Sequence, residues 1–160
     1  MTNKNILVLT HGKFGEELIK SAEMIVGSLD NVSALSLMPD MSAEEFKTKT
    51  ESYLEKNDNE IICLVDLFGG TPSNTIMYLS QKYDVTIISG VNLPMLLEVY
   101  MNLNMNTSEE LAEIALETVL GSGKNISKLL DMERSDSVSY THLTLPTIAA
   151  ECRSRWSPYH

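Results

Sequence analysis

Between residues 5 and 130 the chain alternates short apolar runs with longer amphipathic stretches. Four apolar runs predict strands, at about residues 5–10, 32–37, 61–65 and 85–89. The stretches between and after them carry apolar residues at helical spacing. Strands that alternate with helices form one parallel sheet with right-handed crossovers. The pattern therefore predicts an open α/β sheet in the order 2-1-3-4, with helices on both faces.

Two of the predicted helices begin at residue pairs with the spacing of a capping box. Ser42 and Glu45 form one such pair, and Thr107 and Glu110 form the other. In each pair the hydroxyl and the carboxylate satisfy backbone N–H groups that the helix leaves without partners. These pairs fix where the second and the last of the main helices are expected to start.

Two polar side chains follow neighbouring strands of the predicted sheet. His11, the only histidine in the first 134 residues, ends the first strand, and Asp66 follows the third. Because the crossovers from these strands leave to opposite faces, their carboxyl ends frame the cleft where such sheets bind ligands. A carboxylate can hold the proton of one imidazole nitrogen and leave the other nitrogen as a nucleophile. The alternative is a structural histidine that only hydrogen-bonds a loop.

A glycine-rich turn follows Asp66. Gly69 and Gly70 allow backbone N–H groups to approach an anion closely. Thr71 suits the N-cap of the next helix and Pro72 its first position, so the positive end of the helix dipole points at the same place. Together with His11, this turn predicts phosphoryl chemistry. Glycine used for loop geometry alone is the alternative.

Composition excludes several classes of function. The chain has 160 residues, enough for one domain, and its formal charge of −10 argues against a nucleic-acid partner. Its longest apolar runs have four to five residues, far fewer than the roughly 20 needed to cross a bilayer. Cys63 and Cys152 are too few for a disulfide framework or a metal site. We therefore expect a cytoplasmic protein.

The last 26 residues, 135–160, differ from the rest of the chain. They carry no net charge, and they contain the only tryptophan and the other two histidines, His142 and His160. We interpret them as translated adapter or vector sequence joined to a truncated gene, with a native disordered tail as the alternative. The functional domain is accordingly expected at residues 1–134.

Three segments together resemble a known family. They are residues 10–12, THG; residues 66–74, DLFGGTPSN; and residues 90–96, GVNLPML. At this spacing they are similar to the signature segments of the EIIA component of mannose-family sugar phosphotransferase systems, and the resemblance covers about residues 4–130.

The resemblance implies a flavodoxin-like fold and a phosphoryl relay. In that relay His11 accepts a phosphoryl group from phospho-HPr through Nε2, with Asp66 as its orienting carboxylate. The group then passes to EIIB, which phosphorylates the sugar as it enters through the membrane components EIIC and EIID. The phosphate would be held by the turn and the helix start, at Gly69, Gly70, Thr71 and Ser73. No metal or organic cofactor is implied.

The resemblance also implies a homodimer, sometimes completed by a strand exchanged between subunits, and residues 125–130 are the expected source of that strand. Departures from the family pattern are small: Phe68 stands where tryptophan is common, and Thr71 where serine is frequent. No EIIB domain follows, so the chain is expected to be either a free-standing EIIA or the front of a truncated fusion.

Other functions remain open from the sequence. A phosphocarrier subunit of a dihydroxyacetone kinase system shares the fold and the strand-end histidine. A non-catalytic regulatory module that senses phosphorylation of His11 belongs to a different class. A flavodoxin is disfavoured because the first loop lacks its phosphate-binding pattern. A receiver domain is disfavoured because no acidic cluster surrounds Asp66.

Overall fold

The computed structural model describes residues 3–136 of the chain. The elements in these residues are β1 (Lys4–His11), α1 (Phe14–Val26), β2 (Val32–Leu37), α2 (Ala43–Glu55), β3 (Glu60–Val65), α3 (Thr71–Leu79), β4 (Val85–Ser89), α4 (Leu93–Asn102), α5 (Ser108–Gly121) and α6 (Ile126–Asp136). None of these described helices combines the length and apolar character that a membrane span requires. The chain divides into a unit that ends at Leu120, which holds the sheet, and a unit that begins at Gly121, which holds α6.

The four strands form one parallel sheet in the order β2-β1-β3-β4, which confirms the predicted topology. In this register His11 pairs with Leu37, and Leu9 pairs with Val65. The strands β1 and β3 occupy the centre of the sheet. Their apolar runs, residues 6–9 and 62–65, are fully buried. Continuous apolar runs are what a sheet covered on both faces requires.

Helices cover both faces of the sheet. On one face α1 packs against β1, β2 and α4. On the other face α2 and α3 pack against each other and against the strands. The core of this second face includes Leu7, Leu9 and Phe46, together with Cys63. Cys63 is fully buried, and burial raises the pKa of its thiol, so it packs as a small apolar side chain.

Both predicted capping boxes are present. The Ser42 hydroxyl accepts the N–H of Glu45 at 3.1 Å, and the Glu45 carboxylate accepts the N–H of Ser42 at 2.7 Å. The corresponding distances between Thr107 and Glu110 are 3.2 and 2.9 Å. Local hydrogen bonding therefore determines the starts of α2 and α5, as the sequence predicts.

One prediction about the end of the domain is wrong. Residues 125–130 were expected to supply an exchanged strand, but in the described chain Asn125 precedes α6 and residues 126–130 form its beginning. The Asn125 side chain accepts the N–H of Lys128 at 3.0 Å and so starts the helix. Its apolar residues, Ile126, Leu129 and Leu130, also have helical rather than alternating spacing.

The predicted boundary between residues 134 and 135 is only partly covered by the described residues. The helix α6 continues two residues past it, to Asp136. The proposed adapter-derived segment otherwise lies outside the described residues, together with His142 and His160. A functional domain of residues 1–134 therefore stays a proposal.

The capping box of α2 makes stability depend on pH. Hydrogen bonds from the backbone and then the side chain of Ser42 lower the pKa of Glu45 from its ordinary value of 4.5. A carboxyl group whose pKa is lower in the folded state stabilises the protein above its unfolded pKa, and this contribution disappears as the pH falls through the folded value. We expect Glu45→Gln to lower the free energy of unfolding at neutral pH and to have a smaller effect in acid.

Denaturant unfolding of wild type and variant at neutral and acidic pH measures this difference. Glu44→Gln is the matched control, because Glu44 lies in the same first turn but its carboxylate receives no hydrogen bond from Ser42. An equal loss of stability at both pH values for Glu45→Gln would contradict the prediction.

Candidate functional site

The carboxyl ends of β1 and β3 bring His11 and Asp66 into direct contact. The Nδ1 atom of His11 lies 2.9 Å from Oδ2 of Asp66, and the backbone N–H of His11 donates to the same oxygen at 2.9 Å. The other carboxylate oxygen, Oδ1, accepts the N–H of Leu67 at 2.8 Å. Three donors therefore fix the carboxylate and, through it, the imidazole.

This geometry determines which ring nitrogen is available for chemistry. An ionised carboxylate only accepts hydrogen bonds, so Nδ1 of His11 must carry the proton that faces Asp66. In the neutral ring Nε2 then holds the lone pair. The His11 side chain is 48% exposed, whereas that of Asp66 is 14% exposed. The arrangement presents a nucleophilic nitrogen to solvent and keeps its orienting group partly shielded.

Gly70 lies against the edge of the imidazole. A Cβ atom at Gly70 would stand 2.7 Å from Cε1 of His11 and 3.3 Å from Nε2. The first distance is shorter than any ordinary contact, so only glycine leaves room for the ring in this orientation. The backbone of Gly70 is also the N-cap of α3. The start of α3 and Nε2 are consequently adjacent.

Gly69 serves the turn in a different way. Its φ of +84° lies in the left-handed region that favours glycine, and a Cβ atom there would meet nothing within 4 Å. The Asn74 side chain donates to the Gly69 carbonyl at 3.2 Å and ties the turn to α3. Gly69 thus allows the chain to turn, and Gly70 allows it to approach His11.

The prediction that Thr71 is the N-cap of α3 is wrong by one residue. Gly70 holds that position, with an extended backbone and a carbonyl that accepts the N–H of Asn74 at 2.9 Å. Thr71 is the first helical residue, and Pro72, which has no N–H, follows it. In the first turn, the backbone N–H groups of Thr71 and Ser73 are the donors that face outward along the helix axis.

The hydroxyl and the backbone N–H of Ser73 point in different directions. Ser73 is buried, and its Oγ lies 3.7 Å from Sδ of Met77, one turn further along α3. The hydroxyl therefore faces Met77, and the backbone N–H is the part of Ser73 that points toward the start of the helix. Of the predicted phosphate-binding residues, Gly70 and Thr71 stand at the helix start itself.

Two exposed apolar side chains flank the site and were not among the predicted site residues. Leu67 is 59% exposed and Phe68 is 75% exposed, in the turn that directly follows Asp66. Large apolar residues in a turn between a buried strand and a helix are the signal that could have identified them. They expose apolar surface in the turn between Asp66 and α3.

A concave region also lies at the opposite edge of the sheet. It has a volume of about 480 Å³, and its lining includes Asp58, Glu60 and Tyr83, which lie at or near the amino ends of β3 and β4. It is therefore separate from the cleft at His11. Within residues 3–136, no group of three His, Cys, Asp or Glu side chains is placed to hold a metal ion.

Comparison with known proteins agrees with this site. The family model EIIA-man, described as the PTS system fructose IIA component, matches residues 5–116. The chain belongs to this EIIA family. This is the EIIA family of the mannose-type sugar phosphotransferase systems (PTS).

Individual relatives support the same assignment. This EIIA chain is 38% identical over 119 residues to the PTS system mannose-specific EIIAB component of Escherichia coli K12. The match covers 71% of the chain and 36% of that relative. The chain is also 34% identical over 101 residues to the PTS system fructose-specific EIIA component of Bacillus subtilis. That match covers 59% of the chain and 67% of the relative.

A solved structure extends the similarity to the fold. The crystal structure of a phosphotransferase system EIIA component from Streptococcus agalactiae has a TM-score of 0.73 and 27% sequence identity. The similar region covers 78% of this EIIA chain and 98% of that protein. The comparisons do not favour the dihydroxyacetone kinase subunit or the regulatory module considered above.

The contact between Gly70 and His11 gives a test of the site. In Gly70→Ala the new Cβ atom would overlap Cε1, so the imidazole or the turn that carries Gly70 must shift. We expect phosphorylation of the chain to slow by about 10- to 100-fold, because misplacing a reacting atom by an ångström has effects of this size. A phosphorylation time course measures the change.

The control for this variant is Gly123→Ala, since Gly123 has no positive φ and a Cβ atom there would meet nothing within 4 Å. Equal rates for the two alanine variants would show that the ring does not need the space beside Gly70.

Proposed function

We propose that this EIIA chain is a phosphocarrier of the phosphoenolpyruvate-dependent PTS and that His11 carries the phosphoryl group. The group comes from phospho-HPr and passes to EIIB during sugar uptake. Family membership supports the carrier role. The observation that carries the assignment to His11 is its orientation: Asp66 engages Nδ1, and Nε2 lies beside Gly70 at the start of α3.

The proposed transfer needs no proton movement at His11. The lone pair of Nε2 forms a bond to phosphorus, while the bond between phosphorus and its donor atom on HPr breaks and leaves its electron pair on HPr. The imidazole becomes positively charged because Nδ1 keeps its proton. Asp66, 2.9 Å from Nδ1, stabilises this charge. Transfer to EIIB is the same exchange in the opposite direction and restores neutral His11.

The start of α3 would bind the phosphoryl oxygens. The backbone N–H groups of Thr71 and Ser73 and the positive end of the helix dipole favour an anion there. Thr71 stands in the first turn, and Gly69 and Gly70 keep the approach free of side chains. The phosphoryl oxygens would therefore lie at the predicted phosphate-binding segment. The donor from Ser73 would be its backbone N–H and not its hydroxyl.

The surface around His11 would receive the partner proteins. The exposed Leu67 and Phe68 provide an apolar rim beside the reactive nitrogen. We infer that HPr and EIIB contact this rim in turn, since both must bring a donor or acceptor atom to Nε2. EIIC and EIID act only indirectly, after EIIB. A homodimer and a cytoplasmic location remain parts of the proposal.

The sugar stays open in this proposal. The relatives carry the words mannose-specific and fructose-specific in their names. The chain spans about a third of the length of the mannose-specific relative. We propose that the membrane components select the sugar, because in this relay the chain exchanges only a phosphoryl group with HPr and EIIB.

Intact-mass analysis tests the proposal. The full chain is incubated with phosphoenolpyruvate, enzyme I and HPr, and a parallel sample lacks HPr. We expect one acid-labile phosphate on the chain, present only when HPr is present. Absence of phosphate on a folded chain would overturn the HPr-dependent function.

A further inference from the structure

Thr10, the residue before His11, is fully buried on the opposite face of β1. A Cβ atom on Gly15 would lie 3.1 Å from Cγ1 of Val8 and 3.2 Å from Cγ2 of Thr10, so these two strand residues face α1. His11 projects to the other face, where Gly70 lies. Thr10 therefore contacts none of the reacting atoms.

The hydroxyl of Thr10 takes the place of a missing helix cap. It accepts the N–H of Gly15 at 2.9 Å and lies 3.4 Å from the carbonyl oxygen of Gly12, to which it donates. Lys13, the N-cap of α1, makes no side-chain capping hydrogen bond. Gly15 is the second residue of α1, and its N–H is one that an N-cap side chain commonly accepts. A strand residue thus caps the helix that follows it.

A second strand hydroxyl holds the same helix turn. Ser36 pairs with Thr10 in the sheet register and is buried. Its Oγ donates to Oε1 of Glu16 at 2.7 Å. Two buried hydroxyls, one from β1 and one from β2, therefore hold the first turn of α1 against the sheet.

These contacts add to the backbone hydrogen bond from the N–H of Gly12 to the carbonyl of Leu37, 2.8 Å long, in holding the turn that follows His11. Gly12 follows His11 with a φ of +56°, a conformation that glycine enters and leaves easily. On the β1 side, the Thr10 hydroxyl bridges this turn. On the β3 side, Asp66 accepts both the backbone N–H and Nδ1 of His11 on one oxygen. A small rotation of the His11 backbone would separate those two bonds.

We propose that Thr10 is a positioning residue for phosphoryl transfer. Its hydroxyl holds the turn from β1 to α1, so that His11 keeps both hydrogen bonds to Asp66 and directs Nε2 at the incoming phosphorus. The inference rests on the proposed function of His11 and gives a role to Thr10, which lies in the segment THG but was not among the predicted site residues.

Two substitutions at Thr10 test this role. Thr10→Val removes the hydroxyl and keeps the branched shape, whereas Thr10→Ser keeps the hydroxyl and loses the methyl group. We expect Thr10→Val to lower the maximal rate of phosphorylation on the order of 10-fold and Thr10→Ser to stay near wild type. Because Thr10 is buried, the phospho-HPr concentration that gives half the maximal rate should not change.

Ser42→Ala is the matched control for stability. It removes a helix-capping hydroxyl from α2, the helix that follows β2, and so reproduces the loss of a cap without changing a residue of the His11 turn. Rates are compared at a temperature where all variants are folded. If Thr10→Val and Ser42→Ala have the same maximal rate, Thr10 is only a structural cap and the proposal is overturned.

Gly15→Ala provides a second perturbation, which decides the question if Thr10→Val does not fold. It keeps the hydroxyl, but its Cβ atom would lie 3.2 Å from Oγ1 of Thr10, so the hydroxyl must shift by a few tenths of an ångström. A lower maximal rate supports the proposal, and a wild-type rate overturns it. Failure of the wild-type chain to accept phosphate from HPr would instead reject the proposed function, so the two failures are distinguishable.

Discussion

His11→Ala should abolish phosphorylation of the chain by phospho-HPr. In the proposed relay Nε2 of His11 forms the only covalent bond to the phosphoryl group, and alanine has no nucleophilic atom. The neighbouring carboxylate cannot replace it, because Asp66 is 14% exposed and both of its oxygens already accept hydrogen bonds. Intact-mass analysis after incubation with phosphoenolpyruvate, enzyme I and HPr should show no added phosphate.

The other histidines provide the control. His142 and His160 lie outside the described residues, and both can be changed to alanine in one variant. We expect this double variant to accept one phosphate at the wild-type rate. Phosphate retained by His11→Ala and lost from the double variant would move the site to the end of the chain and reject the assignment to His11.

The sequence predicted the parts of the site that depend on topology. The apolar run of β1 ends at His11, that of β3 ends before Asp66, and the order of a parallel α/β sheet makes the two strands neighbours. The pairing of these two strands is enough to predict that the imidazole and the carboxylate lie close together. A pair on adjacent strand ends is predictable because strand pairing fixes its separation.

Features that depend on one side-chain orientation or one contact were not predictable in the same way. The sequence gives no sign that Gly70 touches the imidazole, since that contact arises from the angle at which α3 approaches the sheet. It equally gives no sign that the Ser73 hydroxyl faces Met77. Gly70 was predicted to bind phosphate, yet in the structure it also leaves room for the imidazole of His11.

The incorrect strand at residues 125–130 has another cause. Its residues, taken alone, favour a helix, because Asn125 is a good N-cap and the apolar positions repeat at three and four. The prediction of a strand rested on the resemblance to a family in which some members exchange a strand between subunits. The conformation of these residues in the described chain follows their local helical preference and not the expectation taken from the family.

Asp66→Asn should slow phosphorylation by about 10²- to 10⁴-fold, although the side chain keeps its shape. Asp66 accepts three hydrogen bonds, two from His11 on Oδ2 and one from Leu67 on Oδ1. An asparagine has one acceptor oxygen and one NH₂ donor. If its oxygen faces His11, the NH₂ group confronts the N–H of Leu67. If its oxygen faces Leu67, the NH₂ group confronts Nδ1 of His11.

The second orientation blocks the chemistry directly. An NH₂ group beside Nδ1 requires that nitrogen to accept, so the proton moves to Nε2 and the lone pair needed for attack is lost. The first orientation keeps the tautomer but leaves no negative charge to balance the phosphorylated ring. In either case the bound donor reacts slowly, so raising the concentration of phospho-HPr should not restore the rate.

Asp58→Asn is the matched control, because it makes the same change of charge at the opposite edge of the sheet. Quench-flow or rapid-mixing time courses of phosphorylation should separate Asp66→Asn from this control by at least about 100-fold. Rates that agree within a few fold would mean that the carboxylate only places the ring, a task the amide oxygen can perform. The negative charge of Asp66 would then have no part in stabilising the phosphorylated imidazole.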